Sequence, residues 1–383
     1  MGGNFVENWW LYPGFKMEHV ATGLDLPVNI AFMPNPGKDP KDPLFYLTEL
    51  YGQVKAVTND HTVYTYAEGL LNYEPSHEFP GSGESGLTGI CVEPESGDLY
   101  LSMIYEEDSE IKSRLVRTRS KDGLHMDGLK DIMKDIPSTR RAHQIQSVSI
   151  GFDRKLYVTL GDGGAWYKSQ DWDDLRGKVL RLNHDGSIPW DNPISESPVY
   201  AKGFRNPFGA AWRKSDQSMY IAGNGPDKDD RIARVEPYEN YGWPNTMRKN
   251  SIFWWHYTQA PTALDFMQGD QFPPQYNDDL FVALFGASYQ KGTSEKGKKI
   301  VKLQLSQDAT AVKSYDNFVV YKGEGAASPC GLAFGPDGMY FTDLHGEDGG
   351  GNVYKVVPDP EIMEEFKKKE DRYDDIWGGF VGD

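Results

Sequence analysis

A histidine, an aspartate and an Arg-Asn pair stand at the ends of apolar strand patterns in the stretch 141–209. It reads RAHQIQSVSIGFDRKLYVTLGDGG, then RGKVLRLNHDGSIPWDNP, then VYAKGFRNPFG. His143 precedes one strand pattern, Asp162 lies in a glycine-rich turn after the next, and Arg205 with Asn206 leads into another. A neutral imidazole is the side chain best suited to take a proton near neutral pH. A guanidinium stays charged and, pointed into a channel, needs an anionic or π partner. Each residue also has a plain structural use. His143 can close a turn, Asp162 can shape one, and Asn206 can satisfy backbone groups ahead of a proline.

Chemistry from these groups requires a scaffold that brings them together, and the chain supplies one by repetition. A pattern of apolar strand, turn, aromatic-centred strand, polar turn and third strand begins at Pro27, Leu87, Gln146, Pro207, near Leu264, and at Pro329. A period of roughly 60 residues fits small antiparallel sheets, none of which can bury both faces alone. The predicted fold is all-β: a six-bladed β-propeller of four-stranded antiparallel blades spanning 1–357, with a charged tail over 358–383 read as a helix and a loose end. Radial packing buries both faces of each sheet and leaves only short edges. A pair of β-sandwiches is the competing arrangement, and it would need no common period.

In such a ring the turns before each first strand and after each second strand emerge on one face, around the axis. The first set holds Glu84, His143, Arg205 with Asn206, the Trp254–Tyr257 run and Ser328. The second holds Glu49, Asp162, Asn224 with Gly225 and Pro226, and Asp343 with His345. The aromatic run, Trp255 and His256 included, offers faces that could stack on a sugar or a flat cofactor or could simply be core. Long segments at 163–176 and 237–260 exceed what strand connection needs, and loops of that kind tend to carry function.

Composition narrows the partners. A formal net charge of −17 argues against a nucleic-acid backbone and suits neutral or cationic small molecules, or solubility alone. Cys91 and Cys330 both sit inside apolar strand patterns and read as buried free thiols. No apolar run is long enough to span a membrane. The start, MGGNFVENWW, has no basic-then-apolar leader, consistent with a cytoplasmic chain or with a leader already removed.

At these residues the chain resembles the soluble quinoprotein glucose and aldose sugar dehydrogenases, the glucose/sorbosone dehydrogenase family. The segments IGFDRKLYVTLGDGG, GKVLRLNHDGSIPWDNP, GFRNPFG, GNGPDKDD and NYGWPN follow the family's order, and weaker similarity runs through DLPVNIAF, GESGLTGI and PCGLAFGPDG. The resemblance implies pyrroloquinoline quinone (PQQ) and Ca²⁺ as cofactors. It makes His143 the general base and Arg205 a catalytic and cofactor contact with Asn206. Glu84 and Asp162 become wall residues near substrate or quinone, while Trp255 and His256 stand as cofactor-binding candidates by the position of the aromatic run alone. Carbonyls of Gly225 and Pro226 would ligate the calcium, with oxygen donors of the kind that ion prefers. It further implies a sugar substrate, an external electron acceptor, no nucleic-acid partner, a monomer or homodimer, and a periplasmic or secreted location.

The sequence also departs from the family. Blade five reads LFVALFGAS where a cofactor-binding lysine is expected, and Ser328, Pro329 and Cys330 stand where two arginines enter blade six. Ala142 replaces a carboxylate before the histidine, and Arg231 replaces an acidic residue of a structural-calcium loop. Lysines between Lys291 and Lys299, or other basic residues, are the candidates to make good the missing charge. Three function classes therefore stand. The first is a PQQ-dependent oxidoreductase acting at C1 of an aldose or related alcohol. The second is a non-catalytic ligand- or protein-binding propeller, of the hedgehog-interacting-protein kind. The third is a calcium-dependent lactone or ester hydrolase.

Overall fold

Alternating burial along short strands, broken by glycine and aspartate turns, folds each repeat into an antiparallel sheet. The computed structural model describes residues 5–73, 83–138, 142–287, 290–346 and 350–364. Blade one is Pro27–Phe32, Pro43–Glu49, Gln53–Thr58 and Val63–Ala67; blade two is Leu87–Val92, Leu99–Glu107, Glu110–Arg119 and Gly128–Pro137. Blade three runs Ile145–Ile150, Leu156–Leu160, Lys178–Leu182 and Val199–Lys202. Blade four is Pro207–Arg213, Ser218–Gly223, Asp230–Val235 and Phe253–Trp255. Blade five contains Pro261–Phe266, Leu280–Leu284, Lys299–Leu305 and Val312–Tyr321, and blade six Pro329–Phe334, Met339–Asp343 and Gly351–Pro358.

The fourth strand of blade six comes from the other end of the chain. Phe15–Leu24 pairs antiparallel with Gly351–Pro358, so the N-terminal segment closes the ring. Just before it, Trp9–Leu11 adds a fifth strand to blade five by pairing with Val312–Tyr321, a detail the repeat pattern did not reveal. The Trp9 indole is buried edge-on against Tyr321, Phe341 and Tyr354, which ties blades five and six together at the closure.

First strands of successive blades pack side by side all the way round, from blade one to blade six and back to one. This is the six-bladed propeller expected from the repeats. Close approach at the axis excludes side chains in places. A Cβ on Gly331 would lie 2.8 Å from Val28 O of the next blade, and one on Gly89 would overlap Gln146 O of blade three. Apolar clusters fill the wedges between blades; one joins Tyr46, Val54 and Tyr66 of blade one to Ile90, Leu99 and Val116 of blade two. Both cysteines are free, with Cys330 buried and Cys91 partly so.

Strand register fixes which turns share a face. Pro27 pairs with Glu49, Pro207 with Gly223 and Pro329 with Asp343, so the start of each first strand lies beside the end of its second. No helix among the described residues is long and apolar enough to cross a membrane. The 358–383 tail begins as one helical turn at 360–364, and its remainder lies outside the described residues.

Candidate active site

His143 closes the turn before the first strand of blade three with φ at 51°, a left-handed conformation that a non-glycine residue adopts at a cost. The turn is locked from both sides: Gly163 N donates to His143 O at 2.8 Å, and His143 N donates to a Glu84 carboxylate oxygen. Gly161 must be glycine here, because a Cβ would run into the His143 backbone. The ring is half-buried, with Nδ1 2.9 Å from Asp162 Oδ1. Nε2 makes no hydrogen bond among the described residues. An imidazole so oriented carries its proton on Nδ1 and leaves Nε2 as the acceptor.

Asp162 is buried and fully engaged. Its Oδ1 also accepts from Gly164 N at 2.8 Å, and its Oδ2 accepts from Trp243 Nε1 at 2.9 Å. Burial opposes the charge, but the donors from His143, Gly164 and Trp243 outweigh it and hold the carboxyl below its ordinary value. A depressed carboxyl contributes stability above its unfolded-state value and loses it as pH falls through the folded one. Replacing Trp243 by Phe removes a hydrogen bond to a charged group. It is expected to cost about 1.5–3 kcal/mol and to move the Asp162 carboxyl back up, readable by carbon NMR of that carboxyl. An unchanged titration would show that the indole does not support the carboxylate.

Glu84 and Asn206 form the second cluster. Asn206 Nδ2 lies 3.1 Å from each Glu84 oxygen, and Gln146 Nε2 donates to Asn206 Oδ1 at 3.2 Å. Arg205 Nη1 donates to Gly225 O at 2.9 Å and contacts Asn224 O at 3.3 Å, and its guanidinium lies 5.7 Å from the Trp243 ring centre. The 224–226 turn is set by Asp230, which is buried and accepts from Gly225 N, Thr258 Oγ1, Gln259 N and Ala260 N. Burial pushes the Asp230 carboxyl up despite these donors.

Two buried cations hold the long loops that flank the cluster. Lys178 Nζ donates to the carbonyls of Lys168, Ser169 and Arg176, and burial pulls its ammonium down to about 7. Arg231 has no solvent exposure; its Nη1 reaches Tyr241 O at 2.6 Å, Met247 O at 2.7 Å and Lys249 O at 3.3 Å, and its Nη2 reaches Gly203 O at 3.2 Å. Where the resemblance expects an acidic calcium ligand, the chain thus carries its own cation.

Beside Glu84 the axial well opens as a cavity of about 200 Å³ lined chiefly by apolar side chains, Leu50, Phe208, Phe285 and Leu344 among them, with Cys330 below. Burial pushes the Cys330 thiol up to about 12, so it stays protonated. Ser328 donates its hydroxyl to Phe285 O. Within the 291–299 run, Lys298 is buried with Nζ on the carbonyls of Gln290 and Gly292, and Lys299 Nζ reaches Glu295 O at 3.3 Å. Among the described residues, no lysine or arginine lines the cavity.

The structure therefore brings together His143, Asp162, Glu84, Arg205, Asn206 and Gly225. It does not bring Trp255 to them. That indole is buried in the core between blades four and five, with Nε1 3.4 Å from Tyr315 Oη, because strand alternation turns it inward. His256 is exposed at the loop above, its ring against Tyr257, and Pro226 is exposed. Glu49 and Asp343 serve backbone groups, Glu49 accepting from Asp25 N at 2.8 Å and Asp343 from Ser328 N at 2.7 Å. Trp243, Gln146 and Asp230 were not singled out from sequence. The NYGWPN motif and the long 237–260 segment pointed toward the first.

The residues test the implied cofactors unevenly. Carbonyls of Asn224 and Gly225 converge on one cation position, which the Arg205 guanidinium fills, and oxygen donors suit calcium. No cluster of three or more His, Cys, Asp or Glu side chains among the described residues could hold a metal. For PQQ, the imidazole, guanidinium and amide suit one edge of a quinone, but among the described residues the blade-five and blade-six walls offer its three carboxylates no cation. The lining does not fit the full anionic cofactor.

A sequence profile described as Glucose / Sorbosone dehydrogenase matches residues 24–308. Quinoprotein glucose dehydrogenase B of Acinetobacter calcoaceticus is 31% identical over 195 residues, a match spanning 43% of this chain and only 40% of that protein. An aldose sugar dehydrogenase of Escherichia coli is 24% identical over 310 residues, 72% of this chain and 78% of the relative. In fold, the PQQ-bound aldose sugar dehydrogenase of Streptomyces coelicolor superposes with a TM-score of 0.68 at 23% identity, covering 91% of this chain and all of that one.

Proposed function

The chain belongs to the glucose/sorbosone dehydrogenase family, and from that premise we propose that it is an oxidoreductase oxidising an aldose, or a related alcohol, at C1. One observation carries the reading: His143 is pinned through Nδ1 to a buried, charged Asp162 while Nε2 makes no hydrogen bond among the described residues, beside Arg205. In this reading Nε2 takes the proton of the anomeric hydroxyl, and Asp162 holds the ring and stabilises the imidazolium that forms. The C1 hydrogen leaves with its electron pair, giving the lactone from a cyclic sugar. Arg205 stabilises negative charge that develops on the acceptor side, and Asn206 with Glu84 fixes the wall between acceptor and base. A quinone bound in the well, PQQ in the relatives so named, would supply the two-electron acceptor. Ca²⁺ at the Asn224 and Gly225 carbonyls would compete with the guanidinium for its place. Reoxidation then needs an external acceptor.

The test is dye reduction by the purified full chain across a panel of aldoses, supplied in turn with PQQ and Ca²⁺ and with an ortho-quinone that carries no carboxylates. Turnover should appear with sugars. Hydrolysis of lactones without any redox cofactor, or no turnover with any sugar under any quinone, would overturn the reading.

A further inference from the structure

We propose that the axial well discriminates against negatively charged ligands through Glu84, and that the flat group it accepts is an ortho-quinone without carboxylates rather than a tricarboxylate. The inference rests on the reading of the well as the cofactor site. Four observations carry it. The Glu84 carboxylate lines the cavity, and its partners are all neutral: His143 N, Asn206 Nδ2 and, at 3.5 Å, Gln146 Nε2. Among the described residues no lysine or arginine shares the lining, and the remaining walls are chiefly apolar, with Phe208 and Phe285 offering surface for a flat ring. Of the described cations nearby, Lys298 is held by two carbonyls and Arg205 sits on the carbonyls of Asn224 and Gly225, and neither belongs to the lining.

An acceptor also goes unmet there: Asn224, which lines the cavity, has a buried Oδ1 with no hydrogen-bond partner among the described residues. A ligand that adds three carboxylates would meet lone pairs and a like charge. One that offers an apolar face and few anionic oxygens would meet what the walls provide. In a poorly hydrated cavity a single like charge weakens binding by about tenfold to a hundredfold, and the single positive charge of Arg205 is offset by Glu84.

Two probes separate the possibilities: PQQ, with three carboxylates, and phenanthrenequinone, a flat ortho-quinone with none. Binding to the full chain is followed by absorbance and by quenching of tryptophan fluorescence, without sugar. The wild type should bind phenanthrenequinone at least about tenfold more tightly than PQQ. Glu84→Gln keeps the shape and removes the charge; it should tighten PQQ by about tenfold and leave phenanthrenequinone within about twofold, with thermal melts confirming that the variant is folded. A wild type that prefers PQQ, a variant that shifts both probes alike, or failure of both probes to bind would overturn the proposal. Sugar-dependent dye reduction is read separately. Binding in the expected order without turnover leaves this inference standing and removes the dehydrogenase reading, whereas turnover with PQQ bound more tightly than phenanthrenequinone does the reverse.

Discussion

Asp162→Asn is expected to lower kcat by about 10³–10⁴ while the protein stays folded, and His143→Ala to lower it by at least about 10²–10⁴. The reason lies in which proton sits where. Asp162 Oδ1 accepts from both His143 Nδ1 and Gly164 N, while Oδ2 accepts from Trp243 Nε1. An asparagine that keeps its oxygen on Gly164 turns its amide toward Trp243, donor against donor. Flipped to satisfy Trp243, it points that amide at His143 and forces the ring to protonate Nε2, the atom that accepts in the proposed reaction. Either arrangement leaves a site whose base is in the wrong tautomer or poorly oriented. Because the two side chains act as one unit, the double variant should be scarcely slower than the worse single variant. Steady-state dye reduction at saturating sugar measures all three. Additive losses in the double variant would mean that the carboxylate and the imidazole work independently, and a near-normal Asp162→Asn enzyme would remove the couple from the chemistry altogether.

Much of this arrangement was legible before any coordinates. Six starts at a common spacing, with Pro or Leu opening a first strand and Asp-Gly closing a turn, gave the propeller, since only ring closure buries both faces of every sheet. The same repeat placed Glu84, His143, Asp162, Arg205 and Gly225 on one face from strand polarity alone. What stayed hidden depended on long-range geometry. Pairing of Trp9–Leu11 with Val312–Tyr321 joins residues about as far apart as the chain allows and leaves no local pattern. Trp255 reads equally as wall or core in the sequence, because an aromatic in a loop-edge run has two faces to choose from; the structure puts it on the core side of a three-residue strand, where a one-residue difference reverses the outcome. Trp243 went unassigned for a related reason. Its task depends on the 237–252 loop folding back across blade three, a path set by backbone carbonyls and therefore invisible in side-chain spacing.

That loop supplies the second large expected effect. Arg231→Met should destabilise the protein by about 3–5 kcal/mol, a drop in Tm of about 4–6 °C for a chain of this length, and should lower turnover even in the fraction that remains folded. The guanidinium is fully buried without a carboxylate partner, its charge met only by four carbonyls and by the rings of Phe204 and Tyr241, at 5.6 and 5.7 Å. Burial pulls it down only to about 10, so it remains charged at neutral pH. Methionine fills much of the volume and returns the desolvation cost of the charge, but it orphans the oxygens of Gly203, Tyr241, Met247 and Lys249 together. Two of those residues border Trp243, whose own N–H donates to Gly203 O at 3.0 Å. Loosening them frees the indole from Asp162 and lets the imidazole wander, so kcat should fall while KM for the sugar moves little. Arg231→Lys, which keeps the charge but loses the second arm of the fork, should fall between wild type and methionine in both readouts. A methionine variant within about 0.5 kcal/mol of wild type in denaturant melts, or one that loses stability while keeping full kcat, would show that the buried cation does not hold the tryptophan against the Asp162 carboxylate.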